Sequence, residues 1–306
     1  MDDVKLSDRI ETGVDGLDDI LSGGFPQGQM YLIEGDPGTG KTTLAMQFIM
    51  AGKKRDKKSL YITLSESRDE LEGSARSHGW DPNDLPIAEF VPAEASLNPE
   101  EQYTIFHPSE IELSATIQKL TRLIDEVKPE RVVIDSLSEL RLLASDPMRY
   151  RRQLLALKHF FAGRSCTVLL LDDRTSDGSD TQLQSIAHGV IRLEKMHRSY
   201  GGTRRQLEVV KLRGSEFREG FHDYNILKGG LCVYPRLIAQ EHVEDFKGDR
   251  IMSELIGLDA MFGGGVGRGS STLMIGPSGC GKSTLTMLFA YAAARRGERA
   301  IVYVLR

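Results

Sequence analysis

A phosphate-binding motif occurs twice in this chain, and the spacing of the two copies constrains the fold more than any other feature. Residues 35–42 read GDPGTGKT and residues 276–283 read GPSGCGKS, so both fit G-x-x-x-x-G-K-[ST]. Position 282 minus position 41 gives an offset of 241, and the same offset superposes GLD at 16–18 on GLD at 257–259. A repeat that keeps one register indicates a duplicated domain rather than two chance motifs.

The motif predicts a nucleotide site because each of its residue types meets phosphate differently. Glycine-rich turns point backbone N–H groups at phosphate oxygens, the lysine ammonium reaches the outer phosphates, and the hydroxyl helps to hold Mg²⁺. The following helix adds the positive end of its dipole. A glycine-rich turn that merely joins strand to helix is the alternative, which the second copy disfavours. The predicted nucleotide-binding residues are Gly35, Asp36, Pro37, Gly38, Thr39, Gly40, Lys41, Thr42 and Thr43 in the first copy and Gly276, Gly279, Gly281, Lys282, Ser283 and Thr284 in the second.

The repeat also predicts the domain organisation. A length of 306 residues suits about two domains, and we place the first at 1–245 and an incomplete second at 246–306. After the second loop only enough chain remains for one helix and a strand at 300–305. Because such a pair of strands leaves a sheet face and edge uncovered, we expect either a truncation of a longer protein or a fragment that leans on something else.

The first unit has the pattern of an α/β domain with a mostly parallel central sheet flanked by helices. Apolar strand-like runs alternate with helix-like segments, which is typical of parallel sheets. Three β-like runs then follow one another and are expected to extend the sheet as antiparallel strands. The alternating strands are 30–34, 59–64, 131–135 and 166–172, with helices at 43–54, 68–79 and 111–127, and the late strands are 189–194, 205–213 and 221–227.

Two of these strands end in carboxylates, at the sheet edge where α/β proteins bind ligands. Asp135 closes the run RVVID, and we predict that it holds Mg²⁺ opposite Thr42. The alternative is an aspartate that caps the next helix. Asp172 and Asp173 close another strand and are candidates for sensing the γ-phosphate or positioning water, against plain polarity at a strand end.

Four residues are predicted to take part in hydrolysis. Lys41 reaches the outer phosphates, and Glu66, after the second strand, is the candidate base for the attacking water. Glu66 also fits an acid favoured at a helix start. Lys211 and Arg213 are two apart on a strand and therefore share a face. They are either surface cations or, in an assembly, fingers that reach a neighbour's γ-phosphate.

Composition narrows the partners and the compartment. A net charge of −5 argues against broad nucleic-acid binding, and the basic run at 53–58 reads as a solvated loop, with a partner-binding patch as the alternative. Cys166, Cys232 and Cys280 form no C-x-x-C pair, which indicates a reducing cytosol without disulfides or zinc. Since no signal peptide or long apolar run occurs, we expect a soluble cytoplasmic protein without membrane contact.

Several motifs together resemble those of a known group. TGVDGLDDILSGGFPQG at 12–28, ESR at 66–68, VIDSLS at 133–138 and KLRGS at 211–215 resemble the KaiC-type branch of RecA/DnaB-like ATPases over essentially the whole chain. The resemblance implies a RecA-like fold, ATP and Mg²⁺ as cofactors, and a homo-oligomer, commonly a hexameric ring, with ATP between subunits. It implies that Lys211 and Arg213 reach the neighbour's site. It also implies serine/threonine autokinase activity in full-length members.

The chain departs from the family pattern at two places. KaiC-type sites commonly carry two adjacent glutamates where this chain has Ser65-Glu66, so only one base is present and hydrolysis is expected to be slow. In the family's circadian clock protein a Ser-Thr pair is phosphorylated. At the position that we align with this pair, Gln184-Ser185, only one hydroxyl is present. The second unit reaches Arg306 before a base, a metal-binding acid or a finger pair, so we expect it to bind phosphate at most.

Three functions remain open at this point. The leading hypothesis is an oligomeric signalling or timing ATPase with unknown protein partners. A DNA-handling recombinase or helicase would share the glycine-rich lead-in segment and the Lys-x-Arg edge, but it predicts a basic DNA-facing loop or a DNA-binding module, which the sequence does not show. A nucleotide-gated scaffold with little turnover is the third.

Overall fold

The structure is a computed structural model that describes residues 9–90, 108–144, 146–174, 181–197, 201–238 and 248–304, without the side chains of 108–112 and 181–182. The chain divides into two compact units, Met1–Arg236 and Leu237–Arg306. The predicted boundary between 245 and 246 lies outside the described residues. In the described part of the chain, no helix is both long enough and apolar enough to cross a bilayer.

The first unit alternates strands and helices and then ends in four consecutive strands. In chain order its elements are β1 (Arg9–Ile10), α1 (Leu17–Ile20), β2 (Phe25–Pro26), β3 (Met30–Gly35), α2 (Lys41–Lys53), β4 (Ser59–Thr63), α3 (Arg68–Ser77), a 3₁₀ turn (Pro82–Asp84), β5 (Ile87–Glu89), α4 (Pro108–Val127), β6 (Arg131–Asp135), α5 (Leu137–Ala144), α6 (Pro147–Phe161), β7 (Thr167–Asp173), α7 (Thr181–Ile186), β8 (Gly189–Met196), β9 (Arg204–Leu212), β10 (Phe221–Leu227) and β11 (Gly230–Tyr234).

Nine of these strands form one sheet in the order β11-β10-β9-β8-β3-β7-β6-β4-β5. All neighbours from β8 to β5 are parallel, which confirms the predicted α/β class with a mostly parallel sheet. The strands β9, β10 and β11 continue the sheet as antiparallel neighbours. The prediction of antiparallel pairing is wrong for one neighbour of β8. This strand follows the helix α7 and runs parallel to β3, and the chain then turns back so that β9 is its antiparallel neighbour.

The sheet is covered on both faces, and its central strands β3 and β6 are mostly apolar and buried at every position. Along β3, Tyr31 and Ile33 pack in a core with α1, α2 and α3, whereas Met30 and Leu32 pack in a second core with α4, α5 and α6. Alternate residues of a strand point to opposite faces, so one apolar run serves both layers. The result is a three-layer α/β sandwich whose carboxyl edge carries the first phosphate loop.

The second unit contains β12 (Arg250–Ile251), α8 (Ile256–Met261), β13 (Val266–Gly267) and α9 (Lys282–Arg295). The predicted strand at 300–305 is wrong over 300–304, which carry no regular secondary structure, and 305 lies outside the described residues. The offset of 241 aligns 300–304 with β4 and 271–276 with β3. In the first unit β7 and β6 separate those two strands. Neither segment therefore has its hydrogen-bonding neighbour among residues 248–304.

A buried arginine links the sheet to the first helix layer. Arg131, at the start of β6, is 2% exposed, and its Nη1 donates to the carbonyl oxygens of Glu11 at 2.7 Å and Phe48 at 2.8 Å. Its guanidinium lies 4.5 Å from the centroid of the Phe48 ring. Burial lowers the pKa of Arg131 to about 10, so the side chain stays cationic at neutral pH. The charge is thus held inside the fold by main-chain acceptors.

We predict that Arg131→Met lowers the free energy of unfolding of the first unit by about 2–4 kcal/mol, because the part-buried carbonyl of Glu11 and the buried carbonyl of Phe48 lose this donor. Urea unfolding followed through Trp80, the only tryptophan in the chain, reports on this unit. Arg76→Met is the matched control. Arg76 is exposed and paired with Glu72 across one helical turn, so its loss should change stability by less than about 0.5 kcal/mol. Equal effects of the two substitutions would contradict the structural role of Arg131.

Candidate functional site

The first phosphate loop connects β3 to α2 through positions that favour glycine. Gly38 and Gly40 have φ angles of 77° and 101°, in the left-handed region that side chains rarely adopt. A Cβ atom at Gly40 would lie 2.8 Å from Cδ1 of Ile226, so the loop packs closely on β10. The hydroxyl of Tyr224 on the same strand donates to the carbonyl oxygen of Thr39 at 2.6 Å. The loop therefore rests on the antiparallel strands as well as on its own helix.

Lys41 folds back over this loop. Its Nζ donates to the carbonyl oxygens of Gly35 at 2.8 Å and Asp36 at 3.2 Å, and it lies 2.7 Å from Oδ1 of Asp173. Asp173 ends β7, the strand beside β3, whereas Asp172 bonds to Arg141 and Ser138 instead. The two strand-end carboxylates thus differ in these partners, and Asp173 is the one that pairs with the loop lysine at 2.7 Å.

Thr42 and Asp135 meet as the sequence predicts for a metal site, although their role stays a prediction. The hydroxyl of Thr42 donates to Oδ2 of Asp135 at 3.1 Å. A hydroxyl and a carboxylate are the hard oxygen ligands that Mg²⁺ prefers, and Mg²⁺ usually completes its shell with water and phosphate oxygens. No cluster of three or more His, Cys, Asp or Glu side chains suitable for a metal occurs among the described residues. The pair therefore fits Mg²⁺ held jointly with a nucleotide.

Asp135 is a buried carboxylate with two hydroxyl donors on one oxygen. Besides Thr42, the hydroxyl of Tyr61 on β4 donates to Oδ2 of Asp135 at 2.5 Å. Burial raises the pKa of Asp135 above its ordinary value of 3.8, and the bonds from Tyr61 and Thr42 and the charge of Lys41 oppose that rise. Burial and the nearby charge of Asp135 hold the pKa of the Tyr61 phenol well above its ordinary range. Sequence reasoning missed Tyr61; its one signal was a polar aromatic side chain inside an apolar strand.

Glu66 lies between β4 and α3, half-buried near the same carboxylates. Thr63 holds its backbone: Oγ1 of Thr63 accepts from the Glu66 amide at 3.0 Å and donates to the Glu66 carbonyl oxygen at 2.7 Å. The helix α3 is capped by Ser67 and Glu70, so its first turn does not require Glu66. Burial raises the pKa of Glu66, as do the charges of Asp135, Glu70 and Asp173, while Lys41 opposes them. The Glu66 carboxyl group is therefore close enough to Asp135, Asp173 and Lys41 for their charges to change its pKa.

Lys211 and Arg213 lie at the opposite end of the parallel strands, beside the starts of β3 and β8. Their side chains donate to the carbonyl oxygens of Gln184 and, at 2.8 Å, Ser185. Leu212 between them pairs with Gly189, which in turn pairs with Tyr31 near the beginning of β3. The phosphate loop begins four residues further along β3, a rise of about 13 Å. The structure thus does not bring the Lys-x-Arg pair to the loop of its own chain.

A second buried carboxylate stands directly before the loop, and sequence reasoning missed it. Glu34 accepts from Nε2 of Gln184 at 3.1 and 3.0 Å and from Nε of Arg192 at 2.7 Å. Gln184 therefore contacts Glu34 with its side chain and Lys211 with its carbonyl oxygen. These contacts join the end of β3 to α7 and β8.

The second loop repeats the local geometry of the first. Gly279 and Gly281 have φ angles of 79° and 91°, and Nζ of Lys282 donates to the carbonyl oxygens of Gly276 at 2.8 Å and Pro277 at 2.7 Å. Ser283 and Thr284, at the start of α9, are exposed, whereas Thr43 of the first loop is buried. The loop conformation is therefore the same, but the surrounding sheet that covers the first loop is absent from residues 248–304.

Comparisons with known proteins agree with this geometry. A family model described as "ATPase: KaiC" matches residues 10–238 and 252–305. The circadian clock oscillator protein KaiC of Picosynechococcus sp. is 31% identical over 98% of this chain, and that of Synechococcus elongatus is 29% identical over 96%. The chain spans 58% and 57% of the length of those two relatives. The crystal structure of a KaiC-like protein from Pyrococcus horikoshii OT3 matches with a TM-score of 0.63 and 25% identity, over 75% of this chain and all of that one.

A mostly parallel sheet with a phosphate loop after a central strand and antiparallel strands at one edge defines the RecA-like class of P-loop proteins. Within that class, the extent of the family match decides the assignment. The chain belongs to the KaiC family of ATPases, which confirms the resemblance seen in its motifs.

The buried carboxylate of Asp135 is expected to lower the stability of the first unit at neutral pH. Its pKa is higher in the folded state than in the unfolded chain, so its ionisation opposes folding at neutral pH. Asn at this position keeps an oxygen acceptor for Thr42 and Tyr61 without a charge. We predict that Asp135→Asn raises the free energy of unfolding at pH 7 and that the gain disappears as pH falls through the raised pKa toward 3.8.

Urea unfolding of the wild type and of Asp135→Asn between pH 4 and 8, followed through Trp80, measures this difference. Asp125→Asn is the control, because Asp125 is exposed and paired with Arg164 at the surface. A gain that is independent of pH, or a loss at pH 7, would contradict burial as the cause.

Proposed function

We propose that this chain hydrolyses ATP with Mg²⁺ at sites completed by a neighbouring copy, in an oligomer for which the family resemblance favours a hexameric ring. The observation that carries this proposal is the division of the site between two sheet edges. Thr42, Asp135 and Glu66 gather around the phosphate loop, whereas the backbone at Leu212, between Lys211 and Arg213, lies about 13 Å along the strand direction from the start of the loop. A finger pair so placed serves a neighbour's loop.

In this mechanism each residue of the loop edge has one task. The loop amides bind the β- and γ-phosphates, and Lys41 exchanges the carboxylate of Asp173 for phosphate oxygens. Thr42 and Asp135 would hold Mg²⁺, and a bound Mg²⁺ would neutralise charge that develops on the phosphates. Glu66 orients the attacking water and accepts its proton, a task suited to a carboxyl group whose pKa is raised by burial.

The opposite edge supplies the positive charge. Lys211 and Arg213 contact carbonyl oxygens, which are neutral acceptors, so these contacts leave their charges uncancelled. Arg binds phosphate through a planar fork of donors and adds stabilisation where charge spreads over the γ-phosphate oxygens. Placed against a neighbour's loop, the pair would exchange two carbonyl acceptors for an anion.

Mixing two inactive variants tests this shared site. We predict that Glu66→Gln lowers ATP turnover about 10²- to 10⁴-fold by removing the base, and that Arg213→Ala lowers it about 10³-fold or more by removing the finger. Neither change should abolish ATP binding. A 1:1 mixture should recover activity to about a quarter of wild type, since half of the loops keep Glu66 and half of those meet an intact Arg213.

Arg204→Ala is the matched control, because Arg204 lies at the opposite end of β9 and is paired with Asp223 at 2.7 and 2.8 Å. It should leave turnover within about twofold of wild type. Light scattering with ATP and with ADP measures assembly, and turnover should rise with protein concentration as copies associate. An inactive mixture of variants that still assemble, or full activity in a monomer, would contradict the shared site.

The same assay separates the two other functions. A DNA-handling ATPase should be stimulated by single-stranded DNA, whereas the net charge of −5 leads us to expect no stimulation. A nucleotide-gated scaffold should keep its nucleotide-dependent assembly and its partners in Glu66→Gln without turnover. A signalling or timing role with protein partners is the extension that the clock relatives favour. For serine/threonine autokinase chemistry, the Gln184-Ser185 segment offers one hydroxyl acceptor.

A further inference from the structure

The buried hydroxyl of Tyr61 is used in an unusual way for a core tyrosine. Tyr61 is 1% exposed in the core between the sheet and α2, and its hydroxyl donates to Oδ2 of Asp135. The same oxygen accepts from Thr42 at 3.1 Å. One carboxylate oxygen thus receives one donor from the phosphate loop and one from the protein core.

Packing alone does not explain this residue. Phenylalanine would fill the same space, and a buried hydroxyl costs free energy unless it finds an acceptor. The two other core tyrosines with assigned bonds, Tyr31 and Tyr224, donate to the main-chain carbonyls of Pro26 and Thr39, each at 2.6 Å. Only Tyr61 among these three donates to a carboxylate, and that carboxylate faces the phosphate loop.

We propose that Tyr61 is a positioning residue for the Mg²⁺ site, which fixes the orientation of the Asp135 carboxylate from beneath while Thr42 approaches from the loop. This role rests on the proposed function, in which Thr42 and Asp135 hold the metal ion. Tyr61 itself lies too deep in the core to contact nucleotide.

The register of the sheet explains how the contact arises. Thr63 pairs with Asp135 and Tyr61 with Val133, so Tyr61 begins two residues further from the carboxyl edge and shares the face of Thr63. Its long ring spans that distance along the sheet and brings the hydroxyl to the carboxylate. Rotation of a carboxylate about χ2 has a broad, two-fold profile, so a single donor fixes it poorly. A second donor reduces the ordering that metal binding has to impose.

Partners that orient metal ligands are worth about 10- to 100-fold in metal affinity or activity. We therefore expect Tyr61→Phe to raise the Mg²⁺ concentration for half-maximal binding of a non-hydrolysable fluorescent ATP analogue by about that factor. Binding of the analogue in EDTA should stay within about twofold of wild type, because the loop amides and Lys41 are unchanged. This readout measures the metal site without turnover.

Tyr31→Phe is the matched control, since Tyr31 is equally buried in the same core but bonds to a carbonyl remote from the loop. It should lower the thermal unfolding midpoint about as much as Tyr61→Phe without changing the dependence on Mg²⁺. A double-mutant cycle adds a second test. In the Asp135→Asn background, Tyr61→Phe should produce no further change in Mg²⁺ affinity, because the two residues act as one unit.

The outcomes separate the two levels of inference. If the wild type binds the analogue with Mg²⁺ dependence and Tyr61→Phe matches it within twofold, the positioning role is wrong and the proposed function stands. An equal loss of Mg²⁺ affinity in Tyr31→Phe would likewise overturn the role, by showing a general effect of core stability. If the wild type shows no Mg²⁺-dependent binding at all, the proposed function fails and this role with it.

Discussion

The contact between the Thr42 hydroxyl and the buried carboxylate of Asp135 is the interaction on which the arrangement of the proposed metal site depends. It joins the start of α2 to the end of β6, so it requires the phosphate loop and the carboxyl edge of the sheet to meet. Holding an ionised group there opposes folding, as the raised pKa of Asp135 indicates. The apolar cores on both faces of the sheet supply the stability that offsets this cost.

The topology of the sheet places the carboxylates of the proposed active site at the carboxyl ends of the parallel strands and the two cations at their amino ends. Parallel strands deliver Asp135, Asp173 and, just beyond β4, Glu66 to the edge that carries the loop. The antiparallel return from β8 to β9 carries Lys211 and Arg213 back to the opposite edge. A chain folded in this way presents cations where it has no phosphate loop, which is the observation that supports our proposal of a site shared between copies.

In the second unit the phosphate loop has its local conformation, although the sheet that surrounds the first loop is absent from residues 248–304. Its glycine conformations and its lysine contacts match those of the first loop, although 271–276 and 300–304 form no strands. The loop and the helix after it are local structures specified by glycine positions and helix hydrogen bonds. The sheet, in contrast, needs the strands that lie between β3 and β4 in the first unit.

The sequence by itself determined the repeat, the α/β class and the pairing of Thr42 with Asp135, because motif spacing and apolar runs are local patterns that specify loops, strands and the edge at which strands end. It did not predict β11, the parallel pairing of β8, the contact of Lys41 with Asp173, or the bonds that Tyr61 and Glu34 make with residues distant in the chain. Only the tertiary structure decided those, since strand order and register determine which side chains meet. Strand order and register likewise place Lys211 and Arg213 away from the phosphate loop of their own chain.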